Sequence, residues 1–166
     1  MPPPARILGL ALGLALFSAP SSPASPELRL TDMTFVGSRE GTREVIVKSR
    51  HARFHPEPGK AWLEDVVAEV SVAEEGMSFT LYCREAEFDV DDIDFLARGD
   101  VHGETGSGQR YTTEWVRYEH AEGLLYTEAP VRMVDETGSF RGDGFRYLVN
   151  ERRFRLLGNV RVEQLQ

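Results

Sequence analysis

The chain has 166 residues, enough for one domain with one substantial core, and carries 19 basic against 27 acidic side chains, a formal net charge of −8. That balance argues against a nucleic-acid partner, which asks for a basic face. It also implies that any anionic lipid cargo is held chiefly by its apolar part. Cys83 is the only cysteine, so no intramolecular disulfide forms and the fold stands on its apolar core.

Residues 1–26, "MPPPARILGLALGLALFSAPSSPASP", read as a targeting segment: Arg6 supplies a positive start, Ile7–Phe17 is an unbroken run of apolar residues and glycine, and small, Pro and Ser residues follow. As a helix that run would be about 16 Å long, against a hydrocarbon core of about 30 Å. A cleaved secretory signal is favoured over a span, with a short retained anchor as the alternative. No cysteine follows the run, so acylation there as a lipoprotein is excluded. Without Arg6 the remaining chain has 18 basic and 27 acidic side chains, a net −9.

From residue 27 to 166 the pattern is that of one all-β domain. Val, Ile, Phe, Tyr, Trp and Thr recur in short alternating runs separated by Gly, Pro, Asp and Asn. The first such run is "EVIVKS", Glu44–Ser49. "AWLEDVVAEVSVAEE" also fits helical spacing through Trp62, Leu63, Val66, Val67 and Val70, but its β-branched content favours strand. In "MSFTLYC", Met77, Phe79, Leu81 and Cys83 share one side.

Four segments repeat a pattern of aromatic residue, polar turn, apolar return and valine. The pairs are Phe54 and Val66, Phe88 and Val101, Tyr118 and Val131, and Tyr147 and Val160, with the valines 35, 30 and 29 residues apart. Stacked hairpins of this kind bury a continuous interior that no single hairpin could. The expected architecture is a curved, antiparallel, jelly-roll-like stack of about a dozen strands.

No fragment carries catalytic chemistry. "GETGSGQR" (Gly103–Arg110) has glycines at P-loop spacing, yet Gln109 stands where lysine is needed and no helix follows. "DVDDID" (Asp89–Asp94) lacks the glycine and distal Glu of a calcium loop and falls in a turn slot. His51 and His55 have no third ligand, so no metal is expected. Cys83 alternates with Phe79 and Leu81 and reads as a small interior hydrophobe. Arg-Gly-Asp occurs twice, at Arg98–Asp100 and Arg141–Asp143, in different places in the repeat, which reads as turn chemistry. The chain is read as a non-enzyme without a cofactor.

Alternation places Val70, Val72, Phe79, Leu81, Phe95, Val131, Met133 and Phe145 inward, with Tyr111 and Trp115 near them in parity. Each reads singly as core; together they form the candidate lining of a trough for acyl chains. An open stack also leaves edge strands, which are templates for pairing with another chain. The candidate edges are "EVIVKS", with Val45 and Val47, and "NVRVEQ" (Asn159–Gln164), with Val160 and Val162.

The repeat, "LTDMTFVGSREGTREVIVKSRHARFHPEPGKAWLEDV", "YTEAPVRM" and "FRGDGFRYLVNERRFRLLGNVRV" resemble the LptC family of the OstA/LptA-like superfamily, over most of residues 30–163. The resemblance implies a periplasmic component of lipopolysaccharide export that serves outer-membrane biogenesis. Such a protein takes lipid A chains between its sheets. It receives cargo from an inner-membrane ABC transporter at its N-terminal edge and passes it to an LptA-like bridge at its C-terminal edge. The family normally keeps a membrane-spanning N-terminal helix, for which eleven apolar residues are short. Two alternatives stand beside this reading: a soluble LptA-like bridge protein, and a structural or adhesive β-repeat protein using Arg-Gly-Asp.

Overall fold

The computed structural model describes residues 26–39, 43–72 and 77–164, without the side chains of Arg39, Arg43, Val72 and Met77. The targeting segment lies outside the described residues. Six long strands come first: β1 (Leu28–Arg39), β2 (Arg43–His55), β3 (Lys60–Val72), β4 (Met77–Asp89), β5 (Asp94–Thr105) and β6 (Arg110–Glu119). Six short ones follow: β7 (Leu124–Thr127), β8 (Val131–Val134), β9 (Gly138–Gly142), β10 (Gly144–Leu148), β11 (Arg153–Leu157) and β12 (Arg161–Gln164). Every pairing is antiparallel, and no described residue is helical.

The strands join in one sheet that forks. From β1 to β6 each strand pairs with its successor; then one half of β6 carries β7, β10 and β11, and the other carries β8, β9 and β12. The fork is prepared by a line of corners across the long strands. Inward residues run Ala61, Leu63 and then Val66, Ala68, Val70 in β3, and Phe79, Leu81, Cys83 and then Ala86, Phe88 in β4. The alternation skips one residue, at Asp65 and Arg84, which sit opposite each other between the Glu64–Glu85 and Val66–Cys83 pairs. Asp32, Asp65 and Asp100 have φ of 53, 52 and 49°, the left-handed region that Asp tolerates better than most residues. One such residue turns the following side chains onto the other face. Arg50 meets Asp65 at 3.1 Å and Arg84 meets Asp100 at 3.0 Å along this line. These pairs are exposed, so they contribute about 1 kcal/mol at most.

In the third and fourth repeats the corner interrupts the ladder. Glu128–Pro130 separates β7 from β8, where proline lacks the N–H a ladder needs. Asp143 separates β9 from β10, and Gly158–Val160 separates β11 from β12. Asp143 N–H donates to the Leu157 carbonyl at 2.7 Å, and Asn159 Nδ2 donates to Asp143 Oδ2 at 2.7 Å. Both Arg-Gly-Asp copies therefore lie at corners, one inside β5 and one between β9 and β10. They occupy equivalent places in the sheet although their places in the repeat differ.

Folding along the corners gives two facing layers. Layer one holds the half-strands leading to the 56–59 and 90–93 turns, with β7, β10 and β11; layer two holds the other halves, with β8, β9 and β12. They meet through Phe35 and Phe88 (ring centroids 4.7 Å), Phe79 and Tyr147 (5.9 Å), and Tyr111 and Phe145 (5.3 Å). The "DVDDID" stretch is a turn: Asp89 Oδ1 accepts the N–H groups of Asp91 (3.1 Å) and Asp92 (3.2 Å), and Asp89 is paired with Lys60.

Two sequence expectations are corrected. The first edge of the sheet is β1 and not the 44–49 run, because β2 is paired on both sides and Val45 and Val47 are buried. Trp115 points outward, half-buried against Tyr126 at 6.2 Å, while Val116 and Tyr118 point in. At that corner β5 sets Gly99 and Asp100 against the single residue Glu114 of β6, so inward parity in β6 changes between Tyr111 and Val116.

Candidate functional site

The interior is built from cross-strand rows. In layer two, directly opposed residues run Phe35, Val47, Ala68, Leu81, Gly103, Tyr111, Met133, Phe140 and Val162 from β1 to β12. In layer one they run Leu28, Phe54, Ala61, Phe88, Phe95, Tyr118, Leu125, Tyr147 and Phe154 from β1 to β11. All four aromatic residues of the sequence repeat fall in this second row. Each row crosses nine strands with no polar side chain except tyrosine.

Of the residues read as trough lining, Val70, Phe79, Leu81, Tyr111, Val131 and Met133 face inward from layer two, and Phe95 and Phe145 from layer one. The side chain of Val72 is outside the described set. The middle of the interior is filled: Phe79, Leu81, Phe95 and Phe145 are buried, and the layers are in aromatic contact there. Burial falls off towards both ends of the rows. Leu30, Met33 and Phe35 are only partly buried on β1, and Phe140, Phe154 and Leu156 likewise at the far end. Val160 (49 % exposed) and Val162 (58 %) are open on β12 and its approach.

At that far end the layers are held together differently. β1 to β6 cross the corners as continuous strands, whereas β10–β11 and β9–β12 belong to separate branches of the fork. Among the described residues both outermost strands, β11 and β12, have an unpaired edge. Sequence reasoning placed Val160 and Val162 at the end of the last repeat; Val162 lies on β12 and Val160 just before it. It missed Phe140, Phe154 and Leu156, of which Phe140 could have been found by carrying the parity of β8 through the next hairpin.

Besides Ser49, Thr105, His120 and Thr127, two more polar groups are buried, the Tyr111 hydroxyl and the Cys83 thiol. The Tyr111 hydroxyl is buried and has no hydrogen-bond partner among the described residues, and burial pushes its phenol well above the ordinary range. Burial likewise pushes the Cys83 thiol up to about 12, which leaves it protonated and unreactive at neutral pH. The Tyr111 ring lies over Gly103 on the neighbouring strand, where any Cβ would sit 2.1 Å from its hydroxyl oxygen.

The outer faces carry the hollows. In layer two the outward row next to the apolar one runs Thr34, Lys48, Val67, Tyr82, His102, Thr112, Arg132, Arg141 and Arg161, with no carboxylate in nine strands. A hollow of about 530 Å³ lies on this face over β4, β5, β6 and β8, and one of about 440 Å³ over β6, β8 and β9. On layer one, hollows of about 250 and 190 Å³ flank Trp62, Glu87 and Leu96. No group of three His, Cys, Asp or Glu residues among those described is placed to hold a metal ion. His55 Nε2 instead lies 3.3 Å from Glu27 Oε2, with its ring edge-on to Trp62. Among the described residues no helix is long and apolar enough to cross a membrane.

A family model described as lipopolysaccharide-assembly, LptC-related, matches residues 19–164. A comparison with curated proteins finds no match.

Proposed function

The chain belongs to the LptC family of lipopolysaccharide-assembly proteins, whose role is lipopolysaccharide transport, and we propose that it is the periplasmic module that receives lipopolysaccharide from an inner-membrane ABC transporter and hands it to an LptA-like bridge. Its leader either anchors it to the inner membrane or is cleaved. No chemistry is performed on the cargo. The acyl chains are held out of water between the two layers, and direction comes from the transporter's ATP cycle, because a passive trough supplies none. The observation that carries this reading is the pair of facing apolar rows, each nine strands long, running to an end where the sheet has forked.

The transporter's own β-domains meet the free edge of β1, and the bridge meets the free edge of β12. Edge pairing suits both, since an unpaired strand presents a row of unused N–H and C=O groups. Site-specific photocrosslinkers at Val162, Phe140 and Phe79 would trace the path of the acyl chains in cells that make lipopolysaccharide. Adducts from these inward positions, and none from outward Trp62, are expected. A folded protein that gives adducts from Trp62 alone would sink the proposal.

A further inference from the structure

From Arg110 onward the chain carries as many basic as acidic side chains, so its acidic excess lies in the first part. The arginines are also grouped. On the outer face of layer two, Arg132, Arg141 and Arg161 stand directly opposite one another on β8, β9 and β12. Adjacent strands are about 4.8 Å apart, and like charges directly opposed destabilise a sheet. None of the three makes an ion pair with a described residue. Nearby carboxylates are Glu104, opposite Arg110 and itself lining the larger hollow, Glu114 beside the smaller hollow, and Glu163, which accepts from Ser139 Oγ at 3.3 Å.

Along the same row lies an aromatic platform. Tyr82 stacks on His102 with ring centroids 5.0 Å apart and planes 9° from parallel. His102 is fixed by Nδ1, which donates to the Asp100 carbonyl at 2.9 Å. Both residues, with Arg110 and Arg132, line the 530 Å³ hollow, and Arg132 also borders the 440 Å³ one. Arginine forks match phosphate oxygens. The electron-rich face of an aromatic ring attracts the C–H edge of a sugar, and the hollow is in the size range of small-molecule sites.

We infer that this outer face binds the phosphorylated saccharide headgroup of the glycolipid cargo, with Tyr82 and His102 under the sugar and Arg132 and Arg141 on its phosphates. The inference rests on the lipopolysaccharide-transport reading and adds a headgroup site outside the layers that hold the acyl chains. It also revises what net charge implies, because a chain at −8 can concentrate cations that pair with no described carboxylate on one half of one face.

The test is calorimetric titration of the full chain at low salt with the deacylated, phosphorylated saccharide of lipopolysaccharide. Its dephosphorylated form and inorganic pyrophosphate serve as separate arms. Binding is expected for the first probe, weakened at least tenfold by Arg132→Gln with Arg141→Gln and several-fold by Tyr82→Ala. Arg146→Gln with Arg155→Gln, an opposed pair on the other outer face, should leave it unchanged. Removing opposed like charges should not unfold the sheet, and thermal melts check that. The inference is overturned if the phosphorylated probe does not bind, if either other probe binds equally well, or if the two double variants behave alike. Crosslinking of acylated cargo at Phe140 reads the interior separately, so losing one result without the other tells which reading has failed.

Discussion

Gly103 is the position where the interior has the least tolerance. A Cβ there would lie 2.1 Å from the Tyr111 hydroxyl oxygen, 2.2 Å from Cζ and 2.4 Å from Cε1, against ordinary contacts of about 3.5–4.0 Å. For Gly103→Ala the ring must move by more than about 1 Å, and it has nowhere to go. Phe79 stacks on it at 5.1 Å and Phe145 of the opposite layer meets it edge-on at 5.3 Å. Overpacking costs about 1–3 kcal/mol, and two disturbed aromatic pairs add about 0.5–1.5 kcal/mol each. A loss of about 4 kcal/mol is therefore expected, which lowers Tm by roughly 10–15 °C for a domain of this size. Urea unfolding followed by far-UV circular dichroism measures it. In a Tyr111→Ala background the same substitution should cost less than about 1 kcal/mol, because the clashing ring is gone. Equal costs in the two backgrounds, or a wild-type cost below about 1 kcal/mol, would refute the packing argument.

Tyr111→Phe removes a buried hydroxyl without a described partner and should raise stability by about 1 kcal/mol in the same assay; a comparable loss would mean that the hydroxyl is bonded. Asp65 has φ of 52°, so Asp65→Val should cost about 2 kcal/mol while Asp65→Gly stays within about 0.5 kcal/mol; equal tolerance of both would remove the corner from that residue. The Cys83 thiol is raised from 9.0 to about 12, so the folded chain keeps a proton that the unfolded chain sheds between those values. Stability must then fall as pH rises from about 9 to 12, by at most about 4 kcal/mol from this group. Tyr111 and Tyr147, also raised by burial, slope the same way. The measurement is therefore the difference from Cys83→Ala, which should have the shallower decline; parallel curves would place the thiol in water.

The repeat and the alternation made the fold legible because both report side-chain parity, the property a half-buried strand must keep. Phe54, Phe88, Tyr118 and Tyr147 recur at matching places and prove to be one row. What the sequence did not disclose is where parity changes. In β1, β3 and β5 the corner holds one aspartate with positive φ, and Asp65 inside "WLEDVVAEV" resembles any exposed strand aspartate. Trp115 was assigned inward for that reason, by counting in twos from Tyr111 across the corner at Glu114. The edge at β1 was missed because "LRLTDMTFVGSR" is a poor strand by composition, as an edge that buries little can be. The arginine row was hidden more deeply: Arg132, Arg141 and Arg161 are neighbours only through two strand registers, and net charge averages them away.

The fork decides which end of the interior can open. In the first half, six unbroken strands tie the layers together, and the 90–93 turn lies over the end of β1, with Ile93 packed at Gly37. Beyond β6 the layers share only short links and side-chain contacts such as Tyr111 with Phe145 and Phe79 with Tyr147. Parting two aromatic pairs costs about 1–3 kcal/mol. A buried acyl chain of about a dozen methylenes returns roughly 10 kcal/mol at about 0.8 kcal/mol each, and it re-covers the surface it exposes. If acyl chains are held there as proposed, their burial would therefore outweigh closure at this end without breaking a strand ladder. The same split leaves Val162 open and β12 with an unpaired edge. In the proposed function, the mouth that admits a chain and the edge that recruits the next module coincide. A partner strand added to β12 would lengthen the apolar row ending at Val162, so that docking and the continuation of the lipid path become one event.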